Sequence, residues 1–230
     1  MTRPERFRRF LDYFTTAFPE PKTELAYRNP YELIVAVVLS AQCTDKRVNQ
    51  VMPALLEQFP TAAELGAATA DDIFPFIRSV SYPNNKAKHL AGLGKLLMEE
   101  FAGEVPSTIE ELQRLPGVGR KTANVVVSVI YNQPAMAVDT HVFRVSHRLG
   151  LVPKTATTPL AVEKALVKYI PQEVIPKAHH WLILHGRYIC VARTPKCNIC
   201  PLTDFCAYYA RVVAPGLAPA AGKPSAKSQL

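Results

Sequence analysis

Apolar positions recur at helical spacing through most of the 230-residue chain. Phe7, Phe10, Leu11, Phe14 and Phe18 stand at i, i+3, i+4, i+7 and i+11, which predicts an amphipathic helix over 4–18. The stretch 31–42 is apolar nearly all round and reads as a central buried helix. The same periodicity predicts helices over 45–59, 62–67, 71–79, 85–101 and 108–115, and again over 120–131, 140–149, 159–169 and 176–189. Thr61 with Glu64, and Ser107 with Glu110 or Thr108 with Glu111, have capping-box spacing. No segment alternates apolar and polar residues between hairpin turns, so the fold class is all-α.

Proline is the breaker. The chain holds 20 Pro against 10 Gly, roughly twice and half the usual shares, as expected of many short helices joined by tight corners. An apolar fraction of 48% with 20% charged residues suits a chain that buries a core. The longest apolar runs, 33–41 and 125–131, fall short of the roughly 18 residues of a membrane span, and no membrane partner is expected. The basic N-terminus lacks an apolar stretch, and Glu5 and Asp12 argue against a transit peptide. Residues 212–230 are Ala, Pro, Gly, Ser and Lys with few large apolar groups, and are expected to be a disordered tail.

Lys and Arg number 27 against 19 Asp and Glu, a net charge of +8. That excess favours a polyanionic partner, nucleic acid or an acidic membrane surface. Four of the five cysteines, Cys190, Cys197, Cys200 and Cys206, crowd into one stretch. In a chain expected to stay in a reducing compartment such crowding argues for a metal centre, with Zn²⁺ and a [4Fe–4S] cluster both possible for four thiolates. Arg187, Arg193 and Lys196 lie beside them in sequence, placed to offset thiolate charge or to face phosphate.

A second signal is the segment Leu115-Pro116-Gly117-Val118-Gly119-Arg120-Lys121, set between two helices. Two glycines permit a hairpin so tight that the N–H groups opening the second helix point outward, an anion site at the positive pole of the helix dipole. Arg120 and Lys121 occupy that first turn although the dipole disfavours cations there, so a bound anion or a chemical function is expected. The plain alternative is an ordinary corner with two solvated basic residues. A third signal is Val138-Asp139-Thr140-His141, where Asp139 reads first as a helix N-cap, a role compatible with a catalytic one.

Together these motifs, with Leu39-Ser40-Ala41-Gln42-Cys43-Thr44-Asp45 and the run His179 to Gly186, resemble the endonuclease III group of helix-hairpin-helix DNA glycosylases over roughly residues 5–210. The resemblance implies a two-lobed fold: a six-helix barrel over 22–133, and a second lobe of 1–21 and 134–211 carrying a [4Fe–4S] cluster on the four cysteines. It implies base-excision repair, in which oxidised pyrimidines are removed from duplex DNA and the abasic site is cleaved by β-elimination. Lys121 matches the family's Schiff-base nucleophile and Asp139 its helper. Gly117, Gly119, Arg120, Arg193 and Lys196 are expected to meet phosphate, and Gln42 to fill the gap left by a flipped nucleotide. Tyr82 falls at a second wedge position, where many endonuclease III relatives carry leucine and adenine glycosylases carry tyrosine. The expected partner is double-stranded DNA with damaged pyrimidines or abasic sites, met by a monomer in the cytoplasm, nucleoid-associated if bacterial. The competing readings are an adenine-mismatch glycosylase, which lacks the lysine, and a non-catalytic nucleic-acid-binding module.

Overall fold

The computed structural model describes residues 1–217, and within them the chain is helical with no β-strand. Helix α1 (Arg3–Ala17) is capped by Thr2, and α2 (Pro30–Ser40) by Asn29, each with proline in the first turn, where its missing N–H costs nothing. Next come α3 (Asp45–Gln58), α4 (Ala62–Ala67), α5 (Ala70–Ile77), α6 (Pro83–Phe101) and the single turn α7 (Ile109–Leu112). After a hairpin, α8 (Arg120–Tyr131), α9 (Thr140–Leu149), α10 (Pro159–Val167) and α11 (Ile175–Tyr188) complete the frame.

Two separate clusters of buried side chains organise these helices. The first runs from Leu25 to Ala135 and is threaded by α2, in which Tyr31 to Leu39 are all buried. Helix α6 packs on α4 and α5, while α2 packs on α3 and α8. The second unites Phe7, Phe10 and Phe14 of α1 with Met136 to Cys206, so the chain leaves one core and returns to it after the other is built. Trp181 sits at its centre, stacked on Phe14 at 5.6 Å, with its indole N–H donating to the carbonyl of Phe18 at 2.7 Å.

Most differences from the sequence-based expectations lie at helix ends. Helix α2 stops at Ser40, where Ala41 turns out of helical geometry (ψ 113°) and Gln42 follows in a left-handed conformation, φ 53°. The helix expected over 108–115 keeps only one α-turn. Beyond it, Arg114 N–H bonds Glu111 and Leu115 N–H bonds Leu112, tightening the chain into the hairpin. The expected tail is partly helical: a π-helical turn over Tyr209–Val213 runs into α12 (Ala214–Leu217). Arg148 lies over the Tyr208 ring at 4.8 Å, a packing contact that composition does not reveal. The remainder of that expected tail, 218–230, lies outside the described residues.

Candidate active site and metal centre

The hairpin between α7 and α8 is held from below by Leu115 and Val118, both buried, with Val118 N–H bonding the carbonyl of Leu115 at 3.1 Å. Gly117 has φ +80°, and a β-carbon there would meet the His89 side chain at 2.9 Å, so this corner requires glycine. Gly119 is the N-cap of α8 and brings no side chain to cap it, which leaves the first-turn N–H groups open toward solvent. Gly117, Gly119, Arg120 and Lys121 are all exposed on this corner. Arg120 is not free: its guanidinium grips Glu163 of α10 through both carboxylate oxygens, at 2.6 and 3.2 Å.

Asp139 caps α9. One carboxylate oxygen, Oδ1, accepts the N–H groups of His141 and Val142, both at 2.8 Å, while Oδ2 has no partner among the described residues. These two bonds hold the carboxylate at the N-terminal end of α9. Asp139 shares an open hollow of about 740 Å³ with Lys121, Gln42, Cys43 and His141. Lys121 thus comes from the helix after the hairpin and Asp139 from the helix packed against α11, and the two face one space without forming an ion pair. Below the hollow, His179 is 1% exposed and donates from Nδ1 to the carbonyl of Ala137 at 2.9 Å, which fixes the segment leading to Asp139. Burial first, then the neighbouring His180, drives His179 down to about 3, so it is neutral at physiological pH.

Gln42 and Tyr82 stand at the rim of this region. Both are exposed, both are left-handed, with φ of 53° and 56°, and Ser81 Oγ donates to the carbonyl of Gln42 at 2.7 Å, drawing their loops together.

The four cysteines line one small pocket with His185, whose Nε2 lies 3.8 Å from Cys200 Sγ. Burial raises the thiol pKa of Cys197 and Cys206 and pushes that of Cys200 up to about 11. Protein packing alone therefore disfavours thiolates here, and bound iron would supply the positive charge that reverses the preference. Donors already point at two of the sulfurs: Arg148 toward Cys190 Sγ at 3.5 Å and the Tyr209 N–H toward Cys206 Sγ at 3.4 Å. Among the described residues no three Cys, His, Asp or Glu side chains converge on a position for a single ion. Four sulfurs around one pocket can serve as the four thiolate ligands of an iron–sulfur cluster.

Arg193 and Lys196 are exposed on the cysteine loop. Arg187, adjacent to that loop in sequence, turns away from it: it bonds Asp45 at 2.6 Å and also Glu24, whose other oxygen accepts from Tyr188. The cations that do meet the loop are Arg148, which donates to the carbonyls of Val191 and Ala192 at 2.7 Å each, and Arg144, which donates to Cys190 and Gly186 carbonyls at 3.1 and 2.8 Å. Sequence reasoning passed over both, as it did Glu163 and Ser81. Arg144 and Arg148 stand four apart, on one face of α9, and that spacing was the available signal.

Comparison with known proteins gives a consistent picture. Residues 35–172 match the HhH-GPD superfamily of base excision DNA repair proteins, and 190–206 match the iron-sulfur binding domain of endonuclease III. The chain is 46% identical to the endonuclease III of Rickettsia felis over 87% of its own length and 93% of that protein's. Against endonuclease III of Escherichia coli K12 the identity is 42%, over 84% and 91% of the two chains. A structure of a trapped endonuclease III–DNA covalent intermediate superposes with a TM-score of 0.85 at 46% identity, covering 90% of this chain and 97% of that one. A thermostable thymine-DNA glycosylase, 20% identical, shares the fold with a TM-score of 0.79.

Proposed function

The chain belongs to the endonuclease III family of the HhH-GPD superfamily, and from that premise we propose that Lys121 and Asp139 carry out its reaction, base-excision repair by a DNA glycosylase that also cleaves the abasic site. Its partner is DNA. We infer more narrowly that the lesions are oxidised pyrimidines in duplex DNA, that the protein acts as a monomer, and that it works on the nucleoid in the cytoplasm. Among the described residues no helix is long and apolar enough to cross a membrane.

The observation that carries the mechanism is the convergence of Lys121 and the unpartnered Oδ2 side of Asp139 on one hollow beneath exposed Gln42 and beside an open helix N-terminus. Backbone amides at the Gly117–Gly119 hairpin hold a phosphate without reading sequence. The nucleotide is flipped into the hollow, with Gln42 and Tyr82 filling the space it leaves. The Lys121 amine attacks C1′ of the sugar. The new N–C1′ bond forms as the bond from C1′ to the base breaks, and the base leaves with a proton. Asp139 stabilises the positive charge that develops on the sugar. The sugar ring then opens as the C1′–O4′ bond breaks and O4′ takes a proton, which gives the Schiff base; it acidifies the C2′ proton, whose loss expels the 3′ phosphate and nicks the strand. The covalent intermediate trapped in the 46%-identical relative supports a covalent nucleophile here.

Cys190, Cys197, Cys200 and Cys206 would hold the [4Fe–4S] cluster, which supplies a rigid core to the loop presenting Arg193 and Lys196 to DNA. We further take the two buried clusters to mark two domains, 22–133 and 1–21 with 134–211.

Borohydride added while the protein turns over a duplex with one oxidised pyrimidine should trap a protein–DNA adduct. K121A should bind the duplex and form none; an adduct in K121A would reject the assignment of the nucleophile.

A further inference from the structure

Lys86 is 4% exposed, and a buried ammonium requires partners. It finds two carbonyls at the C-terminal end of α2: Nζ donates to Leu39 O at 2.8 Å and to Ala41 O at 2.7 Å. These lie at the helix end, where carbonyls lack intrahelical partners and the dipole is negative, so a cation caps them well. The next residue after Ala41 is Gln42, left-handed and exposed. At its other end Lys86 belongs to the first turn of α6, and its own N–H bonds the carbonyl of Tyr82 at 3.2 Å, the left-handed residue that opens that helix. Ser81 closes the circuit by bonding the carbonyl of Gln42.

A non-glycine residue at positive φ persists only where its surroundings impose it. Here two such residues, in loops about 40 positions apart, meet at one position: the Lys86 ammonium holds the carbonyls of Leu39 and Ala41 beside Gln42, while the backbone N–H of the same residue bonds Tyr82. We propose that Lys86 is a positioning residue for nucleotide extrusion: it locks Gln42 and Tyr82 into the conformation in which both side chains enter the duplex together. This rests on the reading of those two residues as wedges. Lys86 itself lies beneath the loops and touches no substrate. Burial lowers its pKa, and the neighbouring Cys43 acts in the opposite direction.

The test compares nicking of an oxidised pyrimidine in a duplex with nicking of an abasic site in a single strand, where no stacked base must be displaced. Fluorescence of 2-aminopurine beside the lesion reports unstacking directly. K86M should lower the ratio of duplex to single-strand rates about tenfold or more and suppress the fluorescence rise. K86R, which keeps charge and donors, should recover most of both. S81A removes only the bond to Gln42 and should lower the ratio by about threefold. A merely structural role would slow both substrates alike and leave the ratio where it was, which overturns the proposal. If K86M does not fold, S81A and K86R decide: a wild-type ratio in S81A, or an equal slowing of both substrates in K86R, overturns it. Q42A and Y82A run beside them. If these lower the ratio and K86M does not, only the role of Lys86 falls; if neither does, the wedge reading falls with it.

Discussion

At the scale of single residues, Asp139 does two jobs with two oxygens. Oδ1 is spent on the N–H groups of His141 and Val142, and only Oδ2 is free for the hollow. D139N should therefore keep the cap, since asparagine serves there about as well, and shift the melting temperature by no more than about 2 °C. Its turnover on an oxidised-pyrimidine duplex should fall by about a hundredfold or more, because the charge acts on the transition state. Normal turnover in D139N would reduce Asp139 to a cap. Arg120 supplies a second case. Its bidentate grip on Glu163 holds a carboxylate against the hairpin corner proposed to bind phosphate. E163Q removes that negative charge and leaves Arg120 to the DNA, so binding should tighten by a few-fold and the salt dependence should steepen by about one phosphate contact. A titration at several salt concentrations decides it, and an unchanged slope would mean Arg120 never leaves its partner or never reaches phosphate. Gly117, Asp139 and the four cysteines were legible in sequence because their chemistry is local: a corner, a cap, a cluster of thiols. Glu163, Lys86 and Arg187 were not, because each is defined by a partner more than 40 positions away.

At the scale of elements, periodicity located every major helix, and the structure corrects chiefly how they end. Helix α2 yields its last two expected residues to the left-handed turn at Gln42 and α7 its last expected residues to the hairpin, both beside the candidate site. Local consistency is given up where function needs it, which a pattern of apolar spacing does not report. The Thr61–Glu64 capping box forms as spaced, and a second one, Thr69 with Asp72, escaped notice because aspartate fills the position usually taken by Glu or Gln. The hairpin glycines separate structural from functional need. G117A forces a β-carbon against His89 at positive φ and should destabilise the protein by about 1–3 kcal/mol in urea unfolding. At Gly119 a β-carbon meets nothing within 4 Å, so G119A should fold normally. Its methyl nevertheless stands beside the open N–H groups, and DNA affinity should drop by about tenfold. Equal DNA affinity for G119A and the parent would show that phosphate does not approach this helix end.

At the scale of the whole molecule, the two buried clusters meet across the hollow, and ion pairs tie the elements that border it: Arg187 to Asp45 and Glu24, and Arg120 to Glu163. The order of helices along the chain announces none of this, because the second cluster is assembled from both ends of the sequence. What the interior does announce is a response to acid. His179 is buried and driven down to about 3, chiefly by burial, and His180 to about 4 by burial and then by Arg187. Unfolded, both would titrate near the ordinary value of about 6.5. Between about pH 6.5 and 4 the unfolded chain therefore binds protons that the folded chain refuses, and stability present above that window is lost as pH falls through it. Each histidine contributes at most about 1.4 kcal/mol per pH unit in this range. Urea midpoints should decline from pH 7 to 4.5; His185, which burial drives down to about 4, adds to that decline, and H179N, which removes one of three titrating groups while leaving an amide to donate to Ala137, should flatten it by roughly a third. A slope unaltered by H179N would place the acid sensitivity elsewhere, in carboxylates such as Glu24, whose pKa is lowered by the Tyr188 and Arg187 hydrogen bonds against an opposing rise from burial.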